Sequence, residues 1–130
     1  MNRLSPRALL LISLLLVGCS SIRTHRPGGE EVVMSEEEFS RYFEEAFRYH
    51  NQVMSELIEF ASEMKEHPAK NPKKLAEAEK AMITACEPLN EAVTETLEGH
   101  GLSLSLKLVL AEAVPACRGA SAAVERFLNE

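Results

Sequence analysis

Residues 72–98 are PKKLAEAEKAMITACEPLNEAVTETLE, and this stretch decides the predicted fold. Apolar or small residues recur at alternating spacings of three and four, which is typical of the buried face of a helix. Asn71 followed by Pro72 is a favourable helix start, and Gly99 ends the pattern. The stretch therefore predicts one long helix over residues 72–98. Its buried face consists of Leu75, Ala78, Met82, Ala85, Leu89, Ala92 and Thr96.

Similar patterns flank this helix on both sides. Ser35-Glu36-Glu37-Glu38 is a capping box, and an apolar stripe follows it until His67-Pro68. Ser103 or Ser105 is the expected cap of a third helix. Residues 102–108 alternate like a strand, but a strand without a partner leaves its backbone unpaired, so we expect a helix. The sequence thus predicts an all-α fold, a three-helix up-down-up antiparallel bundle with helices at about 35–67, 72–98 and 103–128.

Two cysteines and two prolines lie at matching levels of the second and third helices. Cys86 and Pro88 mirror Cys117 and Pro115 about the predicted turn near residue 101. Each proline removes a backbone donor and bends its helix. We therefore predict a kinked helical hairpin closed by a Cys86–Cys117 disulfide, as expected for a pair of cysteines in an oxidising compartment. The long spacing and the absence of a Cys-x-x-Cys motif favour a structural disulfide over a redox-active pair.

The N-terminus carries a targeting pattern. Arg3 and Arg7 precede a ten-residue apolar run, Ala8–Val17. A membrane-spanning helix needs about 20 such residues, whereas a secretory signal peptide has a run of this length. The run ends in Leu16-Val17-Gly18-Cys19, which resembles the lipobox of bacterial membrane lipoproteins.

This resemblance implies that Cys19 is the lipidation site. In that family the thiol receives a diacylglycerol, cleavage precedes the cysteine, and the new amine takes an acyl chain such as palmitate, which together hold the protein on a membrane. Ser20 stands where an aspartate would favour inner-membrane retention, so we expect the periplasmic side of the outer membrane. Residues 1–18 are then a signal peptide, residues 19–34 the lipidated cysteine and a flexible tether containing Pro27-Gly28-Gly29, and residues 35–130 the bundle.

His50 interrupts the apolar stripe of the first helix. We expect a neutral core histidine that donates to the carbonyl of Thr84 or Ala111, both of which the prolines leave free. The alternative is a metal or haem ligand acting with Met54 or Met82. The di-iron Glu-x-x-His pairs and the Cys-x-x-Cys-His haem motif are both missing from the sequence.

The third helix has a second apolar strip, formed by Leu104, Leu108 and Ala111. A helix in a plain three-helix bundle needs only one apolar face. We therefore predict an interface with a second copy or with another envelope protein. The alternative is that residues 32–34 fold over the strip.

Composition and motifs exclude several function classes. The net charge is −6 without a dense basic run, which argues against a nucleic-acid binder. The nucleophile elbow, zinc-protease, phosphate-loop and dinucleotide motifs are all missing, so we expect neither an enzyme nor a cofactor. The sequence predicts a non-enzymatic binding or structural module on the membrane. The alternative function is a small metal- or haem-binding bundle centred on His50.

Overall fold

The structure is a computed structural model and describes residues 21–130. Two short strands precede three long helices. In chain order these are β1 (Ser21–His25), β2 (Glu31–Ser35), α1 (Glu36–Glu63), α2 (Pro72–Leu97) and α3 (Leu104–Leu128). The three predicted helices are present, and residues 104–108 are helical as expected. The structure is mostly helical, but the all-α prediction misses the two strands.

The strands form an antiparallel hairpin in which Ile22 pairs with Met34 and Thr24 pairs with Val32. Pro27 fits the second position of the turn, and Gly29 closes it with a left-handed φ of 89°. The prediction of a flexible tether is therefore wrong over these strands. The four paired residues lie on one face of the hairpin, which packs on the helices and buries Thr24 and Met34.

Local sequence fixes where each helix begins. The Ser35 hydroxyl accepts from the Glu38 amide and the Glu38 carboxylate accepts from the Ser35 amide, which confirms the predicted capping box. Ser103 caps α3 by accepting from the amide of Leu106. Asn71 forms no side-chain cap on α2, and its side-chain amide donates to the carboxylate of Glu130.

The hydrophobic core centres on α3. This helix packs most extensively against α2, and it also packs against α1 and β1, whereas α1 and α2 have little direct contact. Because α3 has neighbours on several sides, its buried face is broader than one stripe. The three-and-four spacing from Leu106 predicts Val109 and Ala116 on the buried face, but both are exposed. The buried apolar positions of α3 are Leu106, Leu110, Ala113, Val114, Pro115, Cys117 and Val124.

Candidate functional site

The Cys86–Cys117 disulfide joins the middle of α2 to the middle of α3. Both cysteines are fully buried. Pro88 and Pro115 lie inside these two helices, two residues from each cysteine. The structure thus confirms the predicted disulfide link between the second and third helices.

His50 of α1 faces this disulfide. Only 5% of its surface is exposed, and one of its ring nitrogens lies within 4.8 Å of both sulfurs. Among residues 21–130, its Nδ1 atom is the buried side-chain nitrogen or oxygen that has no hydrogen-bond partner. Burial lowers the pKa of the imidazole because the apolar surroundings disfavour its charged form. His50, Cys86 and Cys117 therefore form a buried cluster, which we call the sulfur–imidazole cluster.

The Nδ1 atom of His50 makes neither of the expected hydrogen bonds, to the carbonyl of Thr84 or to that of Ala111. The Ala111 carbonyl accepts a hydrogen bond from the hydroxyl of Thr24 on β1 instead. Met54 is partly buried and lines a separate cavity of about 210 Å³ with Leu57 and Leu75. The sequence located His50 near the two prolines, but it gave no indication that the cysteine sulfurs would be its neighbours.

An open groove runs between the hairpin and the helices near the α2–α3 turn. Its volume is about 920 Å³. Leu108 and Ala111 of the predicted interface line it, whereas Leu104 lies one helical turn before Leu108 and is 74% exposed. The apolar side chains lining the groove include Ile22, Phe39, Val93, Leu97, Leu102 and Leu108.

The groove remains open because the hairpin covers only part of the predicted strip. Met34 is buried, but Val33 is 60% exposed and Leu108 is 68% exposed. The alternative that residues 32–34 cover the strip is therefore wrong for Leu108. Arg23, Glu36 and Lys107 supply charge at the edge of the groove, so this surface combines an apolar floor with a partly basic rim.

Two tyrosines of α1 tie the elements together. The Tyr42 hydroxyl donates to the His25 carbonyl at 2.9 Å, and Arg26 lies over its ring. The Tyr49 hydroxyl donates to Glu125 on α3 at 2.6 Å. Burial and this carboxylate raise the pKa of Tyr49 to about 12. In the sequence, the spacing of seven residues, about two helical turns, indicates that the two tyrosines lie on the same face of α1.

Fold and site define a small, mostly helical protein with a disulfide-linked helix pair, a docked β-hairpin and an open apolar groove. No family model matches the sequence, and no curated protein or solved structure is significantly similar to it. Within residues 21–130, none of the helices has the length and apolar character needed to cross a membrane. The predicted lipidation site, Cys19, lies outside the described residues.

Proposed function

We propose that this protein is a lipid-anchored, non-enzymatic binding module on the periplasmic side of the outer membrane. The lipobox-like residues Leu16–Cys19 support the anchor. The observation that carries the binding role is the open apolar groove beside β1. In this proposal the helices form an up-down-up bundle, and the groove between hairpin and bundle is the contact surface.

The short distance between anchor and groove supports this arrangement. β1 begins at Ser21, which lines the groove, only two residues after Cys19. Two extended residues span about 7 Å. A lipid on Cys19 would therefore hold the groove close to the membrane surface. The flexible tether predicted from the sequence would allow a much larger distance between the lipid and the groove.

We propose that the groove binds an apolar segment of another envelope protein near the membrane. Its volume of about 920 Å³ lies within the usual range of binding sites, and its exposed leucines offer anchor points for a helix face. A second copy is a poorer occupant, because a two-fold contact needs a self-complementary surface and a groove does not complement a groove.

The groove is tested by photo-crosslinking in intact cells. A crosslinking amino acid at position 108 should give a discrete adduct with one envelope protein. Leu97→Glu in the groove should weaken that adduct by at least about tenfold, because a charge there would oppose docking of an apolar segment. Position 83 is the matched control, since Ile83 is exposed on α2 but does not line the groove. A self-adduct, a lipid adduct, or equal adducts from positions 83 and 108 would contradict the proposed partner.

The anchor needs a separate experiment. Mass spectrometry of the N-terminal peptide should identify Cys19 as the first residue, carrying the diacylglycerol and an amide-linked acyl chain. Cys19→Ala should release the protein from the outer-membrane fraction. An intact Met1 on the full-length product would contradict lipidation, and it would leave the test of the groove unaffected.

For the alternative function, a haem and a small metal ion fit the surroundings of His50 differently. His50 lines neither of the two cavities described above, so no space for a haem adjoins it there. The unpartnered ring of His50 does favour a small metal ion, with the cysteine sulfurs rather than Met54 as the other ligands.

A further inference from the structure

We propose that His50, Cys86 and Cys117 form a metal site for a soft ion, Zn²⁺ or Cu⁺, when the disulfide is reduced. Disulfide and metal would then be alternative states of one cluster. This site is independent of the lipid anchor and of the groove. The metal-bound state would use the buried imidazole of His50 as a ligand. A purely structural disulfide gives this imidazole no such role.

The geometry of the sulfur–imidazole cluster supports this site. One atom from each of the three side chains lies within 4.8 Å of the other two. Ligand atoms on one zinc ion lie about 3.5 to 4 Å apart. The two sulfurs are bonded to each other in the disulfide, so they would have to separate after reduction while the imidazole stays within reach. Two thiolates and one imidazole are ligands that both Zn²⁺ and Cu⁺ prefer.

His50 provides the second, independent observation. Only 5% of the residue is exposed, and its Nδ1 has no hydrogen-bond partner among residues 21–130. A buried polar atom without a partner is rare in folded proteins and costs stability. A metal bound to the ring and to the two thiolates would satisfy this side chain. The oxidised state leaves Nδ1 without a partner.

Three protein ligands leave a fourth position for water or for a nearby hydroxyl. Ser121 of α3 is fully buried, and its Oγ lies 3.8 Å from the Cys86 sulfur. The cluster contains no carboxylate. This neutral, sulfur-rich composition disfavours Mg²⁺ and Ca²⁺, which require oxygen ligands.

The chemistry balances in two steps. A dithiol reductant breaks the Cys86–Cys117 bond by giving two electrons and two protons, so that two thiols form and the reductant becomes a cyclic disulfide. Binding of Zn²⁺ then releases the two thiol protons, because the thiolates are the ligands. Since both cysteines are fully buried, the ion enters as the reduced chain folds.

The experiment compares metal binding by the oxidised and reduced protein. The chain is unfolded in guanidinium chloride and reduced with dithiothreitol, desalted, and refolded with Zn²⁺ or Cu⁺, and a competing chromophoric chelator measures affinity and stoichiometry. Reduced wild type should bind one ion per chain and gain thermal stability. The oxidised protein should bind at least about tenfold more weakly, because its sulfurs are not thiolates. Equal binding by the two forms would overturn the proposal.

Two substitutions separate His50 from a site made by the cysteines alone. His50→Leu should weaken binding at least about tenfold, since even the loss of a residue that only supports a ligand costs that much. Met54→Leu, one turn further along α1, is the matched control and should leave the affinity unchanged. Equal affinities of wild type and His50→Leu would overturn the three-ligand site.

A measurement on the unsubstituted protein covers the case in which His50→Leu fails to fold. Nitrogen NMR of the His50 ring in reduced wild type should show a large shift on addition of Zn²⁺. The same addition to the oxidised protein should leave the ring resonances in place. Unchanged resonances in the reduced state would exclude His50 as a ligand.

Discussion

The imidazole of His50 is held neutral inside the core, and this has a consequence for stability. Its pKa is lowered from 6.5 by burial, so between 6.5 and its folded pKa the unfolded chain binds a proton that the folded chain does not. The stability that depends on a neutral His50 is therefore fully present above pH 6.5. The free energy of unfolding decreases as the pH falls from 6.5 towards the folded pKa. Urea unfolding of the oxidised protein between pH 8 and pH 5 should show this decline.

His50→Leu should remove the decline. It should also leave the oxidised protein as stable as wild type at pH 8, or more stable by about 1 kcal/mol, because an unpartnered polar atom is replaced by an apolar side chain. Glu38 does not cause this decline, because its hydrogen bonds with the Ser35 amide and hydroxyl lower its pKa below 4.5. A decline of equal size in wild type and in His50→Leu would show that another group is responsible.

The positions of His50, Cys86 and Cys117 could be predicted separately from sequence. The helical spacing placed His50 on the buried stripe, and the mirrored cysteines and prolines predicted the disulfide. Their meeting in one cluster could not be predicted, because it depends on how α1 packs against α3. That packing is tertiary, and the sequence pattern of either helix alone does not specify it.

At the scale of elements, the hairpin supplies a hydrogen bond that α3 lacks. Pro115 has no N–H to donate to the Ala111 carbonyl, which is the hydrogen bond that an ordinary residue would form in α3. The Thr24 hydroxyl of β1 makes this hydrogen bond from outside the helix. The proline inside α3 and the docking of the hairpin are therefore parts of one arrangement.

A double-mutant cycle tests this link. Thr24→Val keeps the shape of the side chain but leaves a buried carbonyl without its donor, so it should cost about 1–3 kcal/mol of unfolding free energy. In a Pro115→Ala background the new amide can bond to the Ala111 carbonyl within the helix. Thr24→Val should then cost less, with a coupling of about 1 kcal/mol measured by urea unfolding.

Thr24→Ser is the control, because it keeps the hydroxyl and loses only a methyl group. Its cost should be smaller than that of Thr24→Val when Pro115 is present. Additive effects of Thr24→Val and Pro115→Ala would mean that the two residues act independently. In that case the hairpin would be held by its apolar face, by Tyr42 and by the contact between His25 and Glu112.

The freed Ala111 carbonyl could be predicted from Pro115, but its donor could not. Residues 20–34 show no long period, and a strand of five residues gives too short a pattern to recognise with confidence. The alternation of Ile22 and Thr24 with polar neighbours, on one side of a Pro-Gly-Gly turn, was the available indication. The strand pattern in residues 102–108 was misleading because Ser103 caps a helix there.

At the scale of the whole molecule, α3 is the element that holds the others together. It contacts α1, α2 and β1, whereas α2 depends on α3 for nearly all of its packing. The disulfide is the covalent part of that contact and joins residues that are 31 positions apart. Closing a loop of this length contributes about 3 to 4 kcal/mol in the chain-entropy model. Loss of the disulfide should therefore affect the helices unequally.

Cys86→Ala/Cys117→Ala should lower the unfolding free energy by about 3 to 4 kcal/mol, and hydrogen exchange should locate the effect. Amides in the middle of α2 should lose more protection than amides in the middle of α1, because α1 keeps its contacts with α3 and its tyrosine hydrogen bonds. Ile83→Ala is a suitable control for α2, since Ile83 is 51% exposed and its replacement leaves the disulfide intact. Equal loss of protection in α1 and α2 would mean that the protein unfolds as one cooperative unit, and that α2 is not a weaker element held by the disulfide.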